Sequence, residues 1–261
     1  MTVMAAPTLI SALNLPDSCR VDQRVPKKLL LENGALTAAD KRLMTDAIEE
    51  IQWLAALKPN TIGVPQYRDE QREYLEIAVL TVTLRGAVKP ASRSRLGELV
   101  HRAVPYPVLL LLIEGPAQTL SLAHKRWAQN EAGKVVLEGH PVFASLPEAA
   151  AEGCAEIERA FMQSLSITHQ SPVTMLTLYQ GWMDCVQALL AARLTGSYCT
   201  ATTPQQAAAR RQALADYARL EAEINGLRTQ AAKEKQLARQ VELNLTLKQL
   251  NGRLDQARRH L

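Results

Sequence analysis

The pattern of apolar and polar positions changes character along the chain. Residues 16 to 36, PDSCRVDQRVPKKLLLENGAL, hold no sustained period, and Pro16, Pro26 and Gly34 interrupt any long helix. From Thr37 the apolar residues recur at helical spacing. TAAD sets an acidic residue three positions after a threonine, the start of a capping box. Met44, Ala47, Ile51 and Leu54 form one stripe, with Ile48 beside it. This spacing predicts a helix from Thr37 to about Leu57, ended by Pro59. YRDEQRE reads as a surface approach. YLEIAVLTVTLRG, residues 74 to 86, is nearly continuous in β-formers and predicts a strand buried on both faces. SRSRLGELVHRAV, residues 92 to 104, predicts a short helix closed by Pro105 and Pro107. YPVLLLLIEG, QTLSLAHKRWAQ and KVVLEG then read as three strands, the last two separated by the turn NEAG.

After Phe143 the pattern turns helical. Ser145 and Pro147 open one helix, and residues 172 to 195 form another that ends at Gly196. VTMLTLYQGWMDCVQALLAARL is long enough to span a bilayer, but it carries Gln180, Asp184, Gln187 and Arg193. It therefore reads as a buried helix of a soluble protein. A polar break, GSYCTATTP, leads to the last segment. There Tyr217, Leu220, Ile224, Leu227 and Ala231 step by three and four, as do Leu243, Leu247, Leu250, Leu254, Ala257 and Leu261. The two stripes are out of phase, since heptads counted on from Ala231 miss Leu243. Either the seam shifts inside one long helix, about 85 Å at 1.5 Å per residue, or the chain turns back at Asn225-Gly226. Asn225-Gly226 lies inside the first stripe, which favours the single helix. Such a helix needs a partner to cover it.

These elements give an α+β fold: a small mixed β-sheet of about four strands with packing helices, then an all-α C-terminal part ending in a long coiled-coil-like helix. Three regions are expected: a head at 1–145, a helical region at 146–203 that packs on it, and a basic C-terminal helix at 204–261.

Composition and charge sharpen this picture in two places. Aromatic residues make up only 4% of the chain, so Leu, Ala and Val must build the core. The formal charge of +4 is uneven, because residues 204–261 hold eleven Lys or Arg against six Asp or Glu. Residues 1–203 are left with nineteen basic and twenty acidic side chains. A basic tail attracts nucleic acid or an acidic protein. Cys19, Cys154, Cys185 and Cys199 form no C-x-x-C pair, and the N-terminus lacks a charged signal-peptide start, so a cytoplasmic location is expected.

Candidate chemistry is sparse. No phosphate-binding glycine loop, dinucleotide fingerprint, H-E-x-x-H or G-x-S-x-G is present. His101, His124, His140, His169 and His260 sit at no metal-ligand spacing, so no cofactor or metal is expected. A metal-dependent nuclease would need acidic residues on neighbouring strands with a lysine beside them. The candidates are Asp69, Glu76, Glu114 and Lys125, but no Glu-x-Lys follows the Asp on a strand. HKRW, residues 124 to 127, combines basic groups with an aromatic and reads either as a stacking surface or as an exposed strand face.

Four segments together resemble the bacterial domain-of-unknown-function 4391 family: LPDSCRVDQRVPKK, AIEEIQWLAALKPNTIGV, RAVPYPVLLLLIEG and KEKQLARQVELNLTLKQL. The resemblance runs from about Leu15 to the end of the chain. It implies no established activity. It implies a context, since similar proteins are encoded beside helicases and DNA methyltransferases in modification or anti-phage arrays.

The expected function is a non-catalytic accessory or scaffolding subunit of such a system, with no small-molecule substrate and no membrane. It would assemble with itself or with a helicase- or methyltransferase-type subunit through Leu220, Ile224, Leu227, Leu243, Leu247, Leu250 and Leu254. The alternative is a DNA- or RNA-binding module using Lys27, Lys28, Lys125, Arg126, Arg210, Arg211, Lys233, Lys235, Arg239, Arg258 and Arg259 against phosphates. A divergent nuclease is the third reading.

Overall fold

A computed structural model describes residues 8–33, 36–129, 131, 133–146 and 155–261. Gly34, Pro147 and Cys154, named above for their sequence patterns, lie outside these. The chain divides into two compact units, Met1–Val186 and Gln187–Leu261.

In the first unit, Thr8 caps a single helical turn, α1 (Leu9–Ala12). The lead-in then supplies strand β1 (Arg20–Arg24) and helix α2 (Lys27–Asn33). Helix α3 (Ala38–Ala47) starts on the expected box: Asp40 N donates to Thr37 Oγ1 at 3.1 Å, and Thr37 N donates to Asp40 Oδ2 at 3.2 Å. The helix does not continue to Leu57. Ile48 is already extended, at φ −86° and ψ 127°, and Ile48–Leu57 forms strand β2. Ile48 and Ile51 are buried as expected, but on a strand. A bulge between Ile48 and Glu50 adds one residue relative to the partner strand, so a spacing of three returns to the same face. That bulge is why the sequence imitates a helical period there.

A one-turn helix, α4 (Pro59–Ile62), and a small hairpin of β3 (Tyr67–Arg68) and β4 (Glu73–Tyr74) follow. Strand β5 (Ile77–Leu84), helix α5 (Pro90–Ala103), β6 (Val108–Glu114), β7 (Ala117–Trp127) and β8 (Val135–Leu146) complete the sheet. The sheet has six strands in the order β1-β2-β5-β6-β7-β8, two more than the sequence pattern suggested. The additional pair is β1 and β2. Strand β8 also runs on past KVVLEG, so Ser145 and Leu146 belong to it and not to a helix. Only β5 and β6 run parallel, with α5 as the crossover that a parallel pair requires.

One face of the sheet packs on α3 and α5 through Met44, Ile48, Leu80, Val82, Leu96, Val100 and Leu110. Arg95 binds Asp40 through two hydrogen bonds of 2.9 Å and so ties α5 to α3. Gly97 lets α5 approach β8, because a Cβ there would lie 2.7 Å from Phe143 Cε1. Helices α6 (Ala155–Ser164) and α7 (Met175–Thr195) come after the sheet. Tyr179 on α7 donates its O–H to the Val108 carbonyl at 2.7 Å and accepts from Ala123 N at 2.9 Å. Trp182 Nε1 donates to the Leu165 carbonyl at 2.9 Å. Among the described residues no helix is long and apolar enough to cross a membrane.

In the second unit, the tail is two helices, α8 (Pro204–Lys233) and α9 (Leu237–Arg259). The single helix expected over 204–261 is broken at Glu234, which is extended at φ −72° and ψ 131°. Asn225-Gly226 stays inside α8. The helices pack on each other around Leu220, Ile224 and Leu250.

Candidate functional site

The out-of-phase apolar stripes acquire a simple cause in the second unit. They belong to two helices, and the phase break is the connection Glu234–Gln236. Glu234 Oε1 accepts from Lys235 N at 2.8 Å and Gln236 N at 2.9 Å, which organises that connection. Leu227, Leu247, Leu254 and Ala257 flank the buried Leu220, Ile224 and Leu250. Six of the seven residues expected at a partner seam therefore close the hairpin on itself, while Leu243 is half-buried.

A different face of α9 is left open. Leu237 is 76% exposed, Val241 51% and Leu245 59%. Their spacing of four places them along one side of the helix. Leu245 stands two positions from the inward Leu247, about 200° around the axis. The sequence reading missed this set because the seam residues carried the more regular period. The available signal was a second apolar series in LARQVELNL that fits neither heptad stripe.

The basic candidates are dispersed. Lys233, Lys235 and Arg239 are exposed around the hairpin connection, whereas Arg258 and Arg259 are exposed at the far end of α9, about 33 Å along the helix. Arg210 is buried with Nη2 3.4 Å from Cys199 Sγ, so it presents no fork to a phosphate, and Arg211 neighbours it on α8. In the first unit, Lys27 Nζ donates to the Ile48 carbonyl, and Lys28 lies 3.6 Å from Glu32. Within the hairpin the exposed basic candidates are thus split between the two ends of α9.

HKRW also departs from an exposed strand face. Strand alternation sends neighbours to opposite sides. His124 meets Tyr74 and Gln180 on one side. Gln180 Nε2 donates to Asp184 Oδ1 at 2.8 Å, so its Oε1 accepts from His124 Nε2, and Nδ1 accepts from the Tyr74 hydroxyl. Burial pushes the Tyr74 hydroxyl well above the usual tyrosine range, so it keeps its proton. The relay joins β4, β7 and α7 as structure. Lys125 points the other way, is 3% exposed, and donates Nζ to the Val104 carbonyl at the end of α5. Burial pushes its ammonium down to about 7. Arg126 and Trp127 are half-buried.

The nuclease candidates are engaged separately. Asp69 accepts from Tyr67, Gln71 and Arg72 in the β3–β4 turn. Glu76 lies 3.3 Å from Lys58, and Glu114 holds Arg93 at 2.6 Å and Val88 N at 3.0 Å. Among the described residues no group of three or more His, Cys, Asp or Glu gathers as a metal site.

Residues 13–254 match the model of a family described as a domain of unknown function (DUF4391), and the chain belongs to that family. No curated protein and no solved structure matches the chain.

Proposed function

We propose that this DUF4391 member is a non-catalytic accessory subunit that docks a larger protein through the outward face of its C-terminal hairpin. The observation that carries this reading is the stripe Leu237, Val241 and Leu245, three large apolar side chains each more than half exposed on one side of α9. An amphipathic helix with apolar residues every fourth position is a standard helix-docking surface. Around it, residues 228–248 carry five Lys or Arg and two Glu. In a symmetric self-pair this cationic rim would face its own copy, which is repulsive. A different protein offering apolar residues inside an acidic rim fits better. The partner class is a helicase- or methyltransferase-type subunit of a DNA-modification or anti-phage system, the context that the family resemblance implies, and the setting is the cytoplasm.

The test is co-purification of the tagged full chain from its native host. A stoichiometric partner should accompany the wild-type chain and be absent when Leu237, Val241 and Leu245 are all replaced by Asp. Retention of the partner by the triple variant would refute the docking face. A salt-sensitive shift of DNA or RNA by the purified chain, lost on replacing Lys233, Lys235 and Arg239 with Ala, would instead support the nucleic-acid reading.

A further inference from the structure

Two hollows of the first unit meet at Lys125. One, of about 610 Å³, lies between the end of α5 and strand β8 and is lined by His101, Arg102, Lys125, Lys134 and His140 among apolar residues. The other, of about 400 Å³, includes Tyr106, Arg126 and Trp127. Lys125, Pro105 and Val135 line both. These volumes suit a small organic molecule.

The larger hollow contains polar groups that the fold does not use up. The Lys125 ammonium has three N–H donors, and the structure gives it one acceptor, the Val104 carbonyl. That contact also caps the carbonyl end of α5. Among the described residues no carboxylate pairs with Lys125. Glu98 is the one acidic residue among those lining the hollow, and both Arg95 and Arg102 hold it, at 2.9 and 2.5 Å. His101 is fully buried; its Nε2 lies 3.0 Å from Ser121 Oγ, while its Nδ1 has no hydrogen-bond partner. Buried donors without acceptors are costly. An oxyanion in the hollow would give the Lys125 ammonium a further acceptor.

We propose that the hollow between α5 and β8 binds a small organic phosphate, with Lys125 Nζ as its principal donor and the apolar wall around Val135 holding the organic part. Phosphate suits a point-charge lysine, and the arginine that lines the hollow, Arg102, is held by Glu98. Burial already holds the amine close to neutrality, so a bound anion would restore its charge.

Phenyl phosphate is the probe, with phenol as the uncharged control, in calorimetric titration of the full chain. The expected result is saturable binding of phenyl phosphate with a dissociation constant of about 1 mM or tighter, and none for phenol. Lys125→Met should weaken binding at least about tenfold by removing the donor. Val135→Trp should do the same by filling the space, and it decides the matter if the lysine variant does not fold. Absence of saturable binding to the wild-type chain overturns the proposal. So does binding that survives either folded variant, since the amine would then be only a cap on α5.

Discussion

Lys125 shows what one buried side chain does to the whole protein's response to pH. Its folded-state pKa is pushed down to about 7 by burial, against about 10.4 for a lysine in an unfolded chain. Between those values the unfolded chain holds a proton that the folded chain has released. Stability contributed by this group therefore rises as pH goes from about 7 to about 10. Urea unfolding at a series of pH values should show that rise in the wild-type chain and a flatter curve in Lys125→Met. His101 works with the same sign at lower pH. Burial, reinforced by the nearby Lys125 charge, pushes it down to about 3, so stability is lost as pH falls from about 6.5 towards that value. Gly97 supplies a packing prediction. Gly97→Ala brings a methyl group against the Phe143 ring and should cost about 1–3 kcal/mol in urea unfolding. The sequence announced the Thr37–Asp40 cap because capping is a local rule. It did not announce the burial of Lys125, because the three consecutive basic-type letters of HKRW hide an alternation that only the strand resolves.

At the level of elements, β2 and the tail teach opposite lessons about period. In β2 a bulge made a strand look helical, with Ile48 and Ile51 three apart yet both buried. In the tail the period and the phase break are both real, but a shift of seam inside one helix and a reversal of the chain give the same count. The strands β5, β6, β7 and the first part of β8 were legible because apolar runs and turn residues bound them. The hairpin makes its own prediction. A double variant with Leu227→Cys and Leu247→Cys should form a cross-link within one chain under mild oxidation, because both side chains pack on the same cluster. A straight helix would give cross-linked dimers instead. Ile224→Ala should destabilise the second unit by about 2–4 kcal/mol, read from helical circular dichroism on heating.

For the whole molecule, the hairpin core moves the docking face that we propose away from the heptad seam. The residues that looked like a docking seam are engaged within the chain, and the exposed apolar side chains stand on the other side of α9. The regular segment from Lys233 to Leu254 thus has two faces: one closes the hairpin and the other, exposed, is the docking face we propose. Once the partner has been purified, its affinity for the full chain decides between these faces, measured by calorimetry for the wild-type chain and for the variant with Leu237, Val241 and Leu245 replaced by Asp. Affinity should fall by at least about 100-fold, as expected when the centre of an interface is removed, with the helical circular dichroism unchanged. An affinity within about threefold of wild type would contradict docking on this face.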